Sequence, residues 1–234
     1  MIKQIIRAML IPAFIIAVYG FDVTGFVNWY SSRPEPDEPE NLKYKATEVY
    51  TEFEDDSWSS AIAKMTTEKV YTKIGDSMDV EIISETTEGD FDDDDDDDSD
   101  EVDDDDDDKE NHSMTMDDGP FGDQKAEYDF SYEGTQYFKG DETHIIRFKS
   151  KERDKEHFNG RALFGVSDSL MKKIELRFAK DPIPIKDMKI EMEFQYPGGY
   201  MVPSRFYMKI WAKIILLYDK KFEVDATYYD FELK

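Results

Sequence analysis

The chain has no cysteine and only three histidines, His112, His144 and His157. Without cysteine there can be no disulfides, thiolate metal ligands, cysteine nucleophiles or lipid-modified N-terminal cysteine. Three histidines also provide little material for a metalloenzyme or a catalytic triad, and no G-x-S-x-G nucleophile motif occurs. The sequence therefore predicts a protein that is not an enzyme and has no catalytic residues, metal site or cofactor.

Positive charge is scarce, because 29 Lys and Arg stand against 55 Asp and Glu in 234 residues, a formal net charge of −26. Nucleic-acid binding requires clustered basic side chains that neutralise phosphates, so no nucleic-acid partner is expected. Hydrophobic residues nevertheless make up 39% of the chain and aromatic residues 14%. This is enough for a packed core and excludes a chain that is disordered throughout.

Long apolar runs are absent, apart from a short one near the N-terminus. Two basic residues precede an uncharged stretch at 8–21 of about 14 residues, whereas a membrane-spanning helix needs roughly 20. Residues 1–20 therefore predict a secretory signal peptide. An uncleaved membrane anchor is the alternative, because residues 26–30 prolong the apolar character. In the absence of a lipid-modified cysteine, we expect an exported protein of the periplasm.

Two segments are too polar to contribute to a core. Residues 21–43 include the stretch SSRPEPDEPENLK and are predicted to be a proline-rich, acidic linker. Residues 86–123 hold 21 of the 55 acidic residues, with aspartate runs at 92–98 and 103–108. Like charges repel and nothing apolar is buried, so this insert is predicted to be disordered. Neither run has the glycine that an EF-hand loop requires. A solvated spacer is therefore favoured over a specific Ca²⁺ site, and weak Ca²⁺ binding remains the alternative.

Two elements are predicted ahead of the acidic insert. Apolar residues recur at spacings of three and four within 44–66, which predicts a helix with a break near its middle. Residues 67–85 show alternating apolar side chains on both sides of a Gly-Asp pair at 75–76. That pattern predicts one β-hairpin with its turn at this pair.

From residue 124 onwards, apolar and polar residues alternate in rows separated by turn signals, which is typical of antiparallel strands with one apolar face. The apolar residues singled out are Tyr128, Phe130, Tyr132, Ile174, Leu176, Phe178, Met188, Ile190, Met192, Phe194, Phe206, Met208 and Ile210. We expect a mainly β protein with minor α content, built as a strongly curved meander or partial barrel. Methionines and large aromatics suit an adaptable, ligand-accepting lining. The alternative is an ordinary hydrophobic core covered by the N-terminal helix.

A resemblance to a known family covers residues 128–233. The matching segments are YDFSYEG (128–134), GDETHIIRFK (140–149), FNGRALFGV (158–166), residues 171–178 and the strand start at Val202-Pro203. In this order they resemble the outer-membrane lipoprotein-sorting family, the LolA/LolB-like periplasmic carriers. Residues 163–165 are Leu, Phe and Gly where relatives tend to have Trp and Asp, and the acidic insert is foreign to the family.

The resemblance implies a single domain over 44–234, interrupted by the insert, and folded as an unclosed β-barrel. Helices cover the concave face of such a barrel, which holds acyl chains of lipids or lipoproteins in transit. The thirteen residues singled out above are then the candidate lipid-binding residues, and envelope proteins are further candidate partners. Two alternatives remain open. One is a structural or interaction protein of the envelope with the acidic tract as a spacer, and the other is an extracytoplasmic Ca²⁺ buffer.

Overall fold

The structure is a computed structural model that describes residues 21–34, 39–54, 58–75, 77–89, 91, 119–214 and 218–233. The predicted signal peptide and both aspartate runs lie outside these ranges. In the part of the chain that is described, no helix combines the length and the apolar character needed to cross a membrane.

Ten antiparallel strands and one short α-helix make up most of the described chain. The helix is α1 (Val23–Ser31). The strands are β1 (Asn41–Phe53), β2 (Ala61–Ile74), β3 (Ser77–Gly89), β4 (Tyr128–Phe138), β5 (Asp141–Ser150), β6 (Phe158–Gly165), β7 (Met171–Phe178), β8 (Ile185–Gln195), β9 (Val202–Ile214) and β10 (Tyr218–Leu233).

All ten strands form one sheet in the order β3-β2-β1-β10-β9-β8-β7-β6-β5-β4. Strands β4 to β10 follow one another as a meander, and β10 then pairs with β1 on its other side. The two edge strands, β3 and β4, do not pair with each other, so the sheet is not closed into a barrel. The predicted fold class, a mainly β unclosed barrel with minor helix content, is confirmed.

The predicted helix over 44–66 is wrong, because these residues belong to β1 and β2. In a strand, a spacing of four keeps two residues on one face, whereas a spacing of three places them on opposite faces. Ala46 and Tyr50 lie on one face of β1 and Val49 on the other, and the segment is rich in β-branched residues such as Thr47, Val49 and Thr51. Hydrogen bonding decides between the two structures. Strand β1 lies inside the sheet, with β10 on one side and β2 on the other, and an isolated short helix has no comparable source of stability.

The predicted hairpin at 67–85 exists with its turn in the expected place but is longer than predicted. Gly75 adopts a left-handed backbone (φ 58°) between the two strands. Strand β2 begins already at Ala61 and β3 continues to Gly89. Residues 86–89 are therefore strand rather than acidic insert, and Phe121 on the far side of the insert is buried in the core. The insert is accordingly shorter at both ends than the predicted range 86–123.

The predicted linker at 21–43 contains instead α1 and the first residues of β1. Asp22 is the N-cap of α1, and its carboxylate accepts a hydrogen bond from the Gly25 backbone N–H at 2.9 Å. Val27 is the helix residue that is fully buried. The helix is not apparent from the sequence, because its apolar residues continue the apolar stretch that predicts export or anchoring.

Candidate ligand-binding face

The face of the sheet against which α1 packs is called the inner face, and it is the concave side of the unclosed barrel. Directly paired residues on adjacent strands point to the same face. Met188, Ile190 and Met192 on β8 lie opposite Ile210, Met208 and Phe206 on β9, respectively. The same register continues to β7, where Leu176 and Ile174 lie opposite Ile190 and Met192. The predicted rows therefore form one continuous apolar floor on the inner face.

One part of this floor is core beneath α1. Tyr128, Ile174 and Leu176 are at most 4% exposed, and Phe130, Ile190, Met192 and Phe194 pack around them. The helix contributes Phe26 and Tyr30, whose rings meet Phe164 edge to face at centroid distances of 5.0 and 4.8 Å. Side chains buried under α1 in this way are not accessible to a ligand.

The edge of this core is aromatic. Phe21, just before α1, packs on Tyr132 and on His144, with ring centroids 4.5 and 4.4 Å apart. The Tyr132 hydroxyl lies 3.2 Å from Nδ1 of His144. Burial lowers the pKa of His144 and raises that of Tyr132, which favours their uncharged forms in a packed aromatic cluster.

A second apolar cluster extends the floor towards β10. Met188, Ile210 and Ala212 are buried in it, and Phe178, Met208 and Phe222 pack against them. Phe206, half-buried, lies between Met192 on β8 and Ala226 on β10. Of the thirteen candidate residues, those in β8 and β9 thus link the core under α1 to the next strands.

The floor then reaches strands that sequence analysis did not connect with a site. On β10, β1, β2 and the loop between β8 and β9, aromatic residues share the inner face. The Tyr44 ring stacks on Tyr71 at 4.9 Å and on Phe231 at 5.3 Å, and the Tyr50 ring lies 5.7 Å from that of Phe222. Burial raises the pKa values of Tyr44 and Tyr71.

A cavity of about 250 Å³ opens beside this aromatic group. Its lining residues are Leu42, Tyr44, Lys73, Ser77, Met78, Tyr200, Met201, Val202, Pro203 and Phe231. Most of them are apolar, as expected for a site that holds a hydrocarbon chain. The open region of the inner face is the name used below for these lining residues and five further inner-face residues of β1, β2 and β10. The five are Tyr50, Met65, Tyr71, Phe222 and Val224. The aromatic contacts described for α1 reach Phe121 and Phe164 on β6, and those of Phe21 before it reach β4 and β5.

Two ion pairs lie on the inner face beside the open region. The Glu48 carboxylate accepts hydrogen bonds from Lys69 at 2.5 Å and from the Tyr71 hydroxyl at 2.6 Å. Glu52, which is buried, accepts one from Lys220 at 2.7 Å. Because each carboxylate has a cationic partner, the charges are tolerated next to the aromatic side chains. On β1, Tyr50 lies between Glu48 and Glu52, and the three side chains share the inner face.

The outer face of the sheet has a different chemistry. It carries ladders of ion pairs, among them the bidentate pair of Arg161 with Glu175 and that of Arg205 with Asp225. A cavity of about 600 Å³ on this face is lined by Arg147, Phe148, Lys149, Asn159, Gly160, Arg161, Glu175, Leu176, Arg177 and Lys189. A groove with so many charged side chains would not favour a hydrocarbon ligand.

Titratable residues are dispersed. The structure places His144 on the inner face of β5 and His157 at the start of β6, where it contacts Asp154 and Glu127. Within the described ranges, no group of three or more histidine and carboxylate side chains is arranged to hold a metal ion. His112 lies outside those ranges.

No protein-family model and no curated sequence matches the chain. Similar solved structures include a DUF1329 family protein from Desulfovibrio piger, with 8% identity over 92% of both chains and a TM-score of 0.36. A LolA superfamily protein from Nitrosomonas europaea has 8% identity over 90% of this chain and 93% of its own, with a TM-score of 0.33. An outer membrane lipoprotein-sorting domain from Vibrio parahaemolyticus has 8% identity over 91% of both chains and a TM-score of 0.35.

These structural neighbours include members of the family that residues 128–233 resemble. At this level of similarity, no function can be carried over. It has to be inferred from the residues of the site.

Proposed function

We propose that this protein is a non-enzymatic binding protein that takes up an acyl chain of a lipid or lipoprotein in the open region of the inner face. The observation that supports it most is the continuity of the apolar floor. The floor runs from the core under α1 across β8 and β9 to the aromatic residues of β10, β1 and β2. Part of it is core, and the rest is available to a ligand.

The energetics of such a site need no catalytic group. Each methylene removed from water contributes about 0.8 kcal/mol. A few methylenes against Tyr44, Phe231 and Met78 therefore provide useful affinity without directional polar contacts. The polar end of the lipid is expected near Lys73 and Ser77, which are polar side chains in the lining of the cavity.

The expected place of action is the bacterial periplasm, where acyl chains must be shielded from water between two membranes. This part of the proposal depends on the predicted signal peptide at residues 1–20, which lies outside the described residues. A carrier there would receive its cargo from one envelope partner and deliver it to another.

The proposal is tested by placing a charge in the open region. Met192 is unsuitable, because it packs against the core under α1. Tyr50 is better placed, since it is half-buried on the inner face and lies directly opposite Val224 and Met65. We expect Tyr50→Glu to weaken binding of a fluorescent fatty-acid probe at least tenfold, because an acyl chain cannot solvate the carboxylate. The melting transition should be retained.

The matched control is Thr51→Glu, the next residue on β1, whose side chain points to the outer face. It should bind the probe as the unmodified protein does. If both variants bind equally well, the open region is not the ligand site. If Tyr50→Glu abolishes the melting transition instead, the inner face is a closed core and the protein is a structural component of the envelope. Native mass spectrometry of protein purified without detergent should also show bound lipid.

A further inference from the structure

Strand β3 is the most exposed element of the sheet. It is 13 residues long, and every one of its residues is exposed. One edge of β3 pairs with β2, while the opposite edge has no strand partner among the described residues. A long, exposed edge offers unpaired backbone N–H and C=O groups to any other extended chain.

The side chains of β3 make this edge unusually attractive to a partner. Met78, Val80 and Ile82 lie on the inner face, in register with Lys73, Tyr71 and Lys69 of β2, and they are 51%, 45% and 59% exposed. Natural edge strands are commonly protected by lysine, proline or a cover of other elements. Strand β3 has neither lysine nor proline.

The charge of β3 indicates which partner would fit. Its charged residues are all acidic, Asp79, Glu81, Glu85 and Glu88. Asp79, Glu81 and Glu85 lie opposite the uncharged residues Thr72, Val70 and Thr67 of β2, whereas Glu88 lies opposite Lys64. A second copy of the chain would place acidic residues opposite acidic residues, which is unfavourable. A basic segment would be attracted.

The other edge of the sheet does not have these properties. Strand β4 turns its apolar residues Tyr128, Phe130 and Tyr132 towards the core, where Phe121 and Phe21 cover them. Strand β3 is therefore the edge at which an apolar row and unpaired acidic groups occur together.

We propose that β3 is a docking edge for an extended segment of another protein in which apolar and basic residues alternate. The segment adds an eleventh strand beside β3 through main-chain hydrogen bonds. Its apolar side chains continue the row of Met78, Val80 and Ile82 on the inner face. Its basic side chains face Asp79 and Glu81 on the other side. This inference does not depend on lipid binding.

The test uses the full chain and a fluorescein-labelled eleven-residue peptide of alternating lysine and valine, with affinity measured by fluorescence anisotropy at moderate salt. Two further peptides separate strand addition from charge attraction. One has the same composition with lysines and valines in two blocks, and the other is N-methylated at every residue. We expect the alternating peptide to bind at least tenfold more tightly than either, because only it offers both main-chain donors and the required alternation.

The location is tested by two double variants with equal change in net charge. Asp79→Lys with Glu81→Lys alters β3, and Asp129→Lys with Glu142→Lys alters exposed positions of β4 and β5. We expect the first to weaken binding of the alternating peptide at least tenfold and the second to change it less than twofold. Equal loss in both variants, or equal binding of all three peptides, would show attraction to the net charge alone and overturn the proposal. The proposal would also be overturned if sedimentation showed that the unmodified chain forms a dimer and that the β3 variant alters this dimer.

Discussion

His157 is the residue whose ionisation most directly connects separate parts of the chain. Its Nδ1 atom lies 2.8 Å from an Asp154 carboxylate oxygen, and its Nε2 atom lies 2.5 Å from a Glu127 carboxylate oxygen. Asp154 also accepts hydrogen bonds from the backbone N–H groups of Glu156 and His157. The loop between β5 and β6 is thereby tied to the residue that precedes β4. The hydrogen bonds to Glu127 and Asp154 raise the pKa of His157.

This arrangement predicts a pH-dependent contribution to stability. Because the folded-state pKa of His157 lies above its unfolded value, ordinarily about 6.5, the stabilisation is fully present below that value. It is lost as the pH rises through the higher, folded-state pKa. We therefore expect His157→Gln to lower the melting temperature more at about pH 5.5 than at about pH 8.5. Thermal unfolding followed by circular dichroism at both pH values measures the difference.

His144 provides the control at the same scale. Burial lowers its folded-state pKa, so the stability linked to it is present above its unfolded pKa and falls as the pH is lowered. His144→Gln should therefore change the pH dependence in the opposite direction. If His157→Gln costs the same at both pH values, the contacts with Glu127 and Asp154 do not depend on the charge of the imidazole.

At the scale of elements, α1 is a helix that depends on its surroundings. It has nine residues with Gly25 in its first turn, and helices this short are marginal on their own. Its stability comes from the N-cap at Asp22 and from the packing of Val27, Phe26 and Tyr30 on the core. The cap is the part that can be removed without opening a cavity.

We expect Asp22→Ala to lower the free energy of unfolding by about 1 kcal/mol, the usual loss for an N-cap side chain. Asp22→Asn should keep most of the stability, because its side-chain oxygen can still accept the hydrogen bond from Gly25. Urea unfolding of the three proteins gives the comparison. If both variants lose the same amount, the carboxylate acts through its charge near the helix N-terminus rather than through the hydrogen bond.

The elements that could be predicted from the sequence are those whose pattern has one interpretation. Rows such as Met188 to Phe194 alternate strictly, so their strands and their common face were predicted correctly. The region of β1 was not, since apolar residues on both faces of this strand imitate the spacing of a helix. Only pairing with β10, far away in the sequence, decides between the two. For the same reason the open region of the site was missed. Tyr44, Tyr50 and Tyr71 lie on strands that had been assigned to a helix or to a separate hairpin.

For the whole molecule, charge is distributed in a way that separates folding from the acidic insert. The outer face pairs its charges, as Arg205 does with Asp225 and Lys173 with Glu191, whereas residues 92–108 hold 15 acidic residues and no basic one. Repulsion within such a run destabilises compact states and is screened by salt.

Replacing residues 92–108 by a short Gly/Ser linker is therefore expected to leave the melting temperature unchanged at moderate salt and to raise it at low salt. The measurement is a pair of thermal scans at about 0.01 M and about 0.15 M salt, where the Debye length falls from about 30 to about 8 Å. A linker of equal length with alternating Glu and Lys provides the control for loop length. Loss of cooperative unfolding after the replacement would mean that the tract contributes to the folded structure.

The position of β10 inside the sheet has a consequence for the folding of the chain. Strand β1 is made early, yet the partner on one of its two sides is β10, with Leu42 opposite Leu233 and Phe53 opposite Lys221. Whether the chain emerges from the ribosome or from an export channel, β1, β2 and β3 appear first and must wait for the last strand. Contacts so distant in sequence slow folding. During that interval β1 presents a second open edge, so a holding chaperone should bind the emerging chain until β10 has formed.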